Sequence, residues 1–219
     1  MSRSMRWRII PKHLRASYPP APGTYREWKS DLAEEGGHQC VYCALADARF
    51  GGEYNFHVEH FEPKSRAPHR INEWDNLFYA CPICNVFKGN DWPMPGTPNA
   101  YMDPSKINYE TQFKREKEGI ISGVTVGAKY MVERLYLNRP QLRLERREAE
   151  LHHRLRRLRT DFEALRNLVR PPFHPDREVY ARLSKCLDVK ARIDDLIDSL
   201  RTVSPYRRTD VRRPQRGHE

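Results

Sequence analysis

Two Cys-x-x-Cys pairs, Cys40/Cys43 and Cys81/Cys84, stand 37 residues apart, and this spacing constrains the chain more than any other feature. Two such pairs close one tetrahedral four-sulfur site, so the segment between them must leave a point and return to it. A structural Zn2+ is the expected occupant. Buried apolar cysteines are the alternative, but turn-forming residues beside both pairs weigh against it. Cys186 stands apart in a helical stretch and reads as a small buried apolar residue.

The returning segment is rich in groups that thiolate sites do not use. Tyr54 to His60 alternates as a strand does, placing Phe56, Val58 and His60 on one face and His57 and Glu59 on the other. Glu59-His60 is followed by Pro63-Lys64, then by Asn76-Leu77, and Asn85 and Lys88 follow Cys84 on a short helix. Phosphodiester hydrolysis needs a base for water, a cation for developing charge, and a means of fixing the base's tautomer. His60 can be the base, and Asn76 can pin the loop that orients it. Glu59 and Asn85 can hold Mg2+ or Mn2+ through oxygen, and His57 can add a ligand or a substrate contact, although a strand histidine more often serves packing or faces solvent. Lys64 and Lys88 flank these elements as phosphate contacts, although surface lysines need no such role.

The same residues resemble the HNH, or ββα-metal, endonucleases. In that family an acidic residue and a His end the first strand, an Asn lies in the loop, and a His or Asn lies on the helix. Glu59-His60, Asn76 and Asn85 answer to these positions, with Glu59 where Asp is commoner. The resemblance implies an α+β fold: a small ββα-metal HNH core supported by a four-cysteine zinc knuckle, with a mainly α-helical C-terminal extension. Met5 to Lys12, Glu59 to Ser65, Trp74 to Leu77 and Leu135 to Pro140 further resemble the HNH proteins of retrons and of two-gene Septu antiphage systems. That likeness implies a defence role and a companion ATPase.

The chain has 219 residues, 31% of them charged and 38% hydrophobic, with a formal charge of +10. Such a balance favours a soluble protein attracted to a polyanion, nucleic acid above all, or one that is merely basic; the nuclease resemblance implies DNA, and the same metal-and-base chemistry acts on RNA. No apolar run reads as a signal or membrane segment, and reduced thiols point to the cytoplasm. Residues 1–26 read as a basic arm interrupted by prolines, residues 27–104 as the nuclease domain, and residues 105–200 as the helical extension. Residues 201–219, with six arginines, read as a disordered basic tail.

In the extension, Leu151, Leu155, Leu158, Phe162, Leu165 and Val169 recur at spacings of four and three, and Val189, Ile193, Leu196 and Leu200 repeat the pattern. Two helices forming an antiparallel hairpin or docking on the core fit this, with self-association as the runner-up. Arg154 and Arg157 lie off the apolar stripe and can contact phosphate or simply face solvent. Two rival functions survive on sequence grounds: a noncatalytic zinc-supported nucleic-acid-binding module, and a scaffold that recruits an ATPase.

Overall fold

A computed structural model describes residues 5–12, 23–93, 97, 99–168 and 177–203. The chain divides into two compact units, one of residues 5–143 and one built from residue 144 onward.

The first unit is organised around a two-stranded antiparallel sheet, β1 (His57–His60) and β2 (Leu77–Ala80), in which Glu59 faces Phe78 and His60 faces Leu77. Strand β1 is shorter than its alternation implies, because Glu53–Asn55 form a 3-10 turn. Every residue of β2 is buried. Helix α1 (Lys29–Glu35) packs on β2 and ends at Gly36.

Helix α2 (Pro82–Lys88) begins at the second cysteine pair, with Pro82 in its first turn, where a missing N–H is harmless. It lies across the His57/Glu59 face of β1. Asn85 Nδ2 is 3.1 Å from His57 Nδ1, and one turn later Lys88 Nζ is 2.7 Å from Glu59 Oε1. The same ammonium donates to the His60 carbonyl at 3.0 Å.

The described part of the N-terminal segment is not a solvated arm. Met5, Trp7 and Ile10 are buried; Trp7 Nε1 donates to the Tyr42 carbonyl at 2.9 Å, and the Trp7 ring lies 5.0 Å from Phe113. Lys12, also buried, pairs with Glu35 and sits over the rings of Trp74 and Phe78. The arginines hid a spaced set of apolar anchors. Residues 13–22 of that segment lie outside the described residues.

Residues 105–143 also belong to the first unit, not to the helical extension. Strands β3 (Phe113–Arg115) and β4 (Ile121–Gly123) pair antiparallel within that unit. Helix α3 (Val126–Arg134) is capped by Thr125, whose Oγ1 accepts from the Ala128 N–H. Gly123 permits its close approach: a Cβ there would lie 2.2 Å from the Lys129 nitrogen. Asn138 then grips β4 from both sides, accepting from Ile121 N at 2.9 Å and donating to Ile121 O at 2.8 Å.

In the second unit, α4 (Pro140–Leu168, entering from the first unit) and α5 (Arg177–Val203) pack through one cluster. Leu155, Val189, Ile193 and Leu200 form its buried part, flanked by Leu151, Leu158, Phe162, Leu165, Leu196 and Ile197. The eight intervening residues can span at most about 30 Å, whereas a parallel return along a 29-residue helix would need about 40 Å. The pair is therefore an antiparallel hairpin. Val169 and the tail 201–219 lie outside the residues whose side chains are described. Among the described residues no helix is long and apolar enough to cross a membrane.

The Glu59–Lys88 pair is the polar joint between β1 and α2, and removing one partner leaves a buried charge. Lys88→Met should therefore cost about 3–5 kcal/mol in urea unfolding, and adding Glu59→Gln should recover part of the loss. An unchanged midpoint for Lys88→Met would exclude this role.

Candidate active site and metal centre

The four cysteines meet where β2 turns into α2. Val41 N–H donates to the Tyr79 carbonyl at 2.9 Å, which draws the first pair alongside the strand that leads to Cys81. A left-handed Ala44, at φ 58°, completes the first knuckle. At the second, Cys81 caps α2, its Sγ accepting from the Cys84 N–H at 3.4 Å. All four are buried as free thiols, with their sulfurs within 4.8 Å of one another. A tetrahedral ion with metal–sulfur bonds of about 2.3 Å requires sulfurs about 3.8 Å apart. Cys43 and Cys81 are separated by 3.8 Å, so the arrangement fits one such ion. Burial opposes ionisation and pushes Cys40 well above the ordinary thiol value. Cys43 is under the same burial, yet hydrogen bonds from the other three cysteines hold it well below that value.

Arg139 closes the cluster. Its Nη1 lies 3.6 Å from Cys84 Sγ, and its Nη2 lies 3.9, 3.7 and 3.6 Å from Cys43, Cys81 and Cys84. The side chain is buried. Burial works against its charge, but Cys84, Cys43 and Cys81 together raise its pKa above the usual guanidinium value.

His60 is buried at the end of β1, and its Nε2 lies 3.0 Å from the Ile71 carbonyl. A carbonyl only accepts, so Nε2 carries the proton and the lone pair of the neutral ring resides on Nδ1. Burial lowers the His60 pKa, and the charges of Lys64 and Lys88 add to that, outweighing the Ile71 bond. Tyr25 contacts the ring edge-on, with centroids 4.8 Å apart, and Lys64 stands exposed over Tyr25.

Asn76 is buried and braces the loop after β1. It accepts from the Glu62 N–H at 2.7 Å and donates to the carbonyls of Glu62 and Arg70, at 3.1 and 3.3 Å. These bonds hold both ends of the segment leading to Ile71, the acceptor for His60.

Glu59 and Asn85 are not joined. Glu59, 3% exposed, is occupied by Lys88 and by the Tyr42 hydroxyl, which donates to it at 3.1 Å. Burial raises its pKa despite both partners. Asn85 instead meets the exposed His57. Lys88 is 0% exposed, so in this arrangement it joins helix to strand and presents nothing to a phosphate. Among the described residues, the cysteines are the one group of three or more His, Cys, Asp or Glu side chains placed to share an ion.

Arg154 and Arg157 lie in the second unit, beside a groove of about 400 Å3 between α4 and α5 that Asp161, Arg192 and Asp195 also line. Arg154 pairs with Glu150 at 2.8 Å. Tyr42, Ile71 and Arg139 went unrecognised as site residues on sequence grounds. Tyr42 was legible only as a residue inside the first pair, and Ile71 acts through its backbone. Arg139 lies in the Leu135–Pro140 phrase, whose physical sense appears only in three dimensions.

The HNH endonuclease family matches residues 40–91, from the first cysteine to just past α2. The Septu protein PtuB of Bacillus thuringiensis is 39% identical over 62 residues, which cover 28% of this chain and 23% of that protein. The aligned stretch thus spans less than a quarter of that relative. No solved structure matches the chain significantly. With paired cysteines at both ends and Glu59-His60, Asn76 and Asn85 between them, residues 40–91 are an HNH endonuclease domain.

Proposed function

We propose that the protein is a metal-dependent HNH endonuclease that hydrolyses phosphodiester bonds of DNA in antiphage defence. The observation that carries the chemistry is the Nε2–H of His60 on the Ile71 carbonyl. It leaves Nδ1 as the acceptor for a water proton, and burial keeps the ring neutral and able to accept it. Asn76 acts as a positioning residue, because its bonds to Glu62 and Arg70 hold the segment that carries Ile71.

A divalent ion, Mg2+ or Mn2+, supplies positive charge for the phosphate oxygens when bound. Asn85, half-buried, and His57, exposed, are the accessible donors for it. Glu59 joins them only by exchanging Lys88 and Tyr42 for the ion. Lys64, exposed near His60, serves the phosphate backbone, and Arg154 and Arg157 extend that contact. For the cysteine site we assign Zn2+, since clustered thiolates select a soft tetrahedral ion and Mg2+ requires oxygen.

Similarity to the Septu protein supports the defence setting, and a companion ATPase is the partner that this resemblance implies. Seam residues from Leu151 to Leu165 pack inside the hairpin. Tyr180, Leu183 and Leu187 remain exposed on α5 and offer the apolar face for a partner or a second copy. The noncatalytic reading draws on one observation, the engagement of Glu59 by Lys88 and Tyr42.

Wild type should cut plasmid DNA with Mg2+ or Mn2+ and lose activity with chelator, and His60→Ala should cut about 10²- to 10⁴-fold more slowly. Single-stranded DNA and structured RNA tested in parallel identify the preferred polymer. Undiminished cleavage by His60→Ala would exclude its role as base. Affinity without products from wild type in any ion would establish the binding module instead.

His60 works as a base only when neutral, and its pKa is lowered. The neutral form therefore persists to more acidic pH than for an ordinary histidine, and activity falls as pH drops through the lowered value. A profile of kcat/KM against pH should show its acidic limb centred below about 6.5. A limb centred above about 7 would contradict this.

A further inference from the structure

We infer that Arg139 is a positioning residue for the metal centre, a fixed cation whose forked N–H groups hold three of the cysteine sulfurs and slow the loss of the ion they bind. The inference rests on reading the four cysteines as a Zn2+ site.

Four thiolates around one divalent ion leave a formal charge of about −2 in a buried place. Such a charge needs neighbours that are themselves positive and cannot leave. Arg139 meets both conditions. It is 5% exposed, and its two terminal nitrogens approach Cys43, Cys81 and Cys84 at 3.6 to 3.9 Å, the reach of N–H···S hydrogen bonds. A guanidinium suits this better than an ammonium, because its planar fork spreads several donors over several acceptors at once. In the turn that carries it, a left-handed Tyr136 (φ 47°) bends the chain and Pro140 starts α4. Nη1 also reaches the Leu135 and Tyr136 carbonyls, at 3.4 and 3.5 Å, which fixes the guanidinium in place.

The rival explanation is that Arg139 merely braces that turn. A brace would affect folding but would leave sulfur chemistry alone. Donated N–H bonds draw electron density from thiolates, so their removal makes the sulfurs more reactive and the ion easier to extract. Outer contacts of this kind commonly change metal affinity about 10- to 100-fold.

The test is the rate of zinc transfer from the full-length protein to a chromogenic chelator, with alkylation of the cysteines by N-ethylmaleimide followed alongside. Wild type, Arg139→Gln, Arg139→Lys and Asn138→Ala are compared, each checked by circular dichroism and thermal unfolding. Arg139→Gln should release zinc about 10- to 100-fold faster and alkylate faster. Arg139→Lys, which keeps charge without the fork, should fall between it and wild type. Asn138→Ala removes the anchor to β4 without touching a sulfur, so it should lower the melting temperature yet release zinc at about the wild-type rate.

A folded Arg139→Gln protein with wild-type release would overturn the inference, as would equal acceleration by Asn138→Ala. If Arg139→Gln does not fold, Arg139→Lys decides: release indistinguishable from wild type counts against Arg139. A wild type that purifies without zinc and takes up none would instead remove the zinc reading itself, and the inference with it.

Discussion

The four sulfurs drawn together at the junction of β2 and α2 are the constraint on which the rest depends. Strands of four residues and a helix of seven are too short to fix one another by apolar burial alone. The cysteine cluster ties the knuckle before β1 to the start of α2, and the strands are held between them. Tyr42, inside the first pair, carries that tie onward by donating to Glu59. The cysteine cluster and the buried Glu59 are thus joined through one buried phenol.

The Glu59–Lys88 pair then sets the register of α2 on β1. Two residues along a strand advance about 6.8 Å and three along a helix about 4.5 Å, so contacts at 57/85 and 59/88 can form together. A slip of one residue on β1 would turn both acceptors to the other face. Burial of such a pair is a poor source of stability, since desolvation offsets the attraction. Its value here is geometric: with Lys88 on Glu59 and on the His60 carbonyl, the strand ends at a defined point, and the histidine ring meets the Ile71 carbonyl.

Spacing and chemistry carried much of this arrangement, and what they missed has a physical pattern. The cysteine pairs, the strand through His60, the loop-pinning Asn76 and the two C-terminal helices were readable because each leaves a local signature in period or residue type. Glu59 reads from sequence as a metal ligand, but sequence does not record which charged neighbour reaches a carboxylate first; here Lys88, three residues past Asn85, reaches it. The N-terminal segment looked like an arm because its arginines dominate the composition, while Met5, Trp7 and Ile10 carry its packing. β3 is only three residues long, and two of those are exposed, so alternation had nothing to mark.

The buried cations also change how the net charge of +10 should be understood. Lys12, Lys88 and Arg139 face Glu35, Glu59 and the cysteine sulfurs, so their charge is spent within the first unit and contributes little to a field outside it. Formal charge also counts each cysteine as neutral. Binding a divalent ion through four thiolates lowers the total by about two. Attraction to a polyanion therefore depends on cations at the surface, such as Lys64, Arg154 and Arg157. There, long-range steering is sensitive to salt and the buried pairs are not. Charge of one sign thus has two settings in this chain: enclosed, it fixes the geometry of the site, and exposed, it stays available to a polyanion.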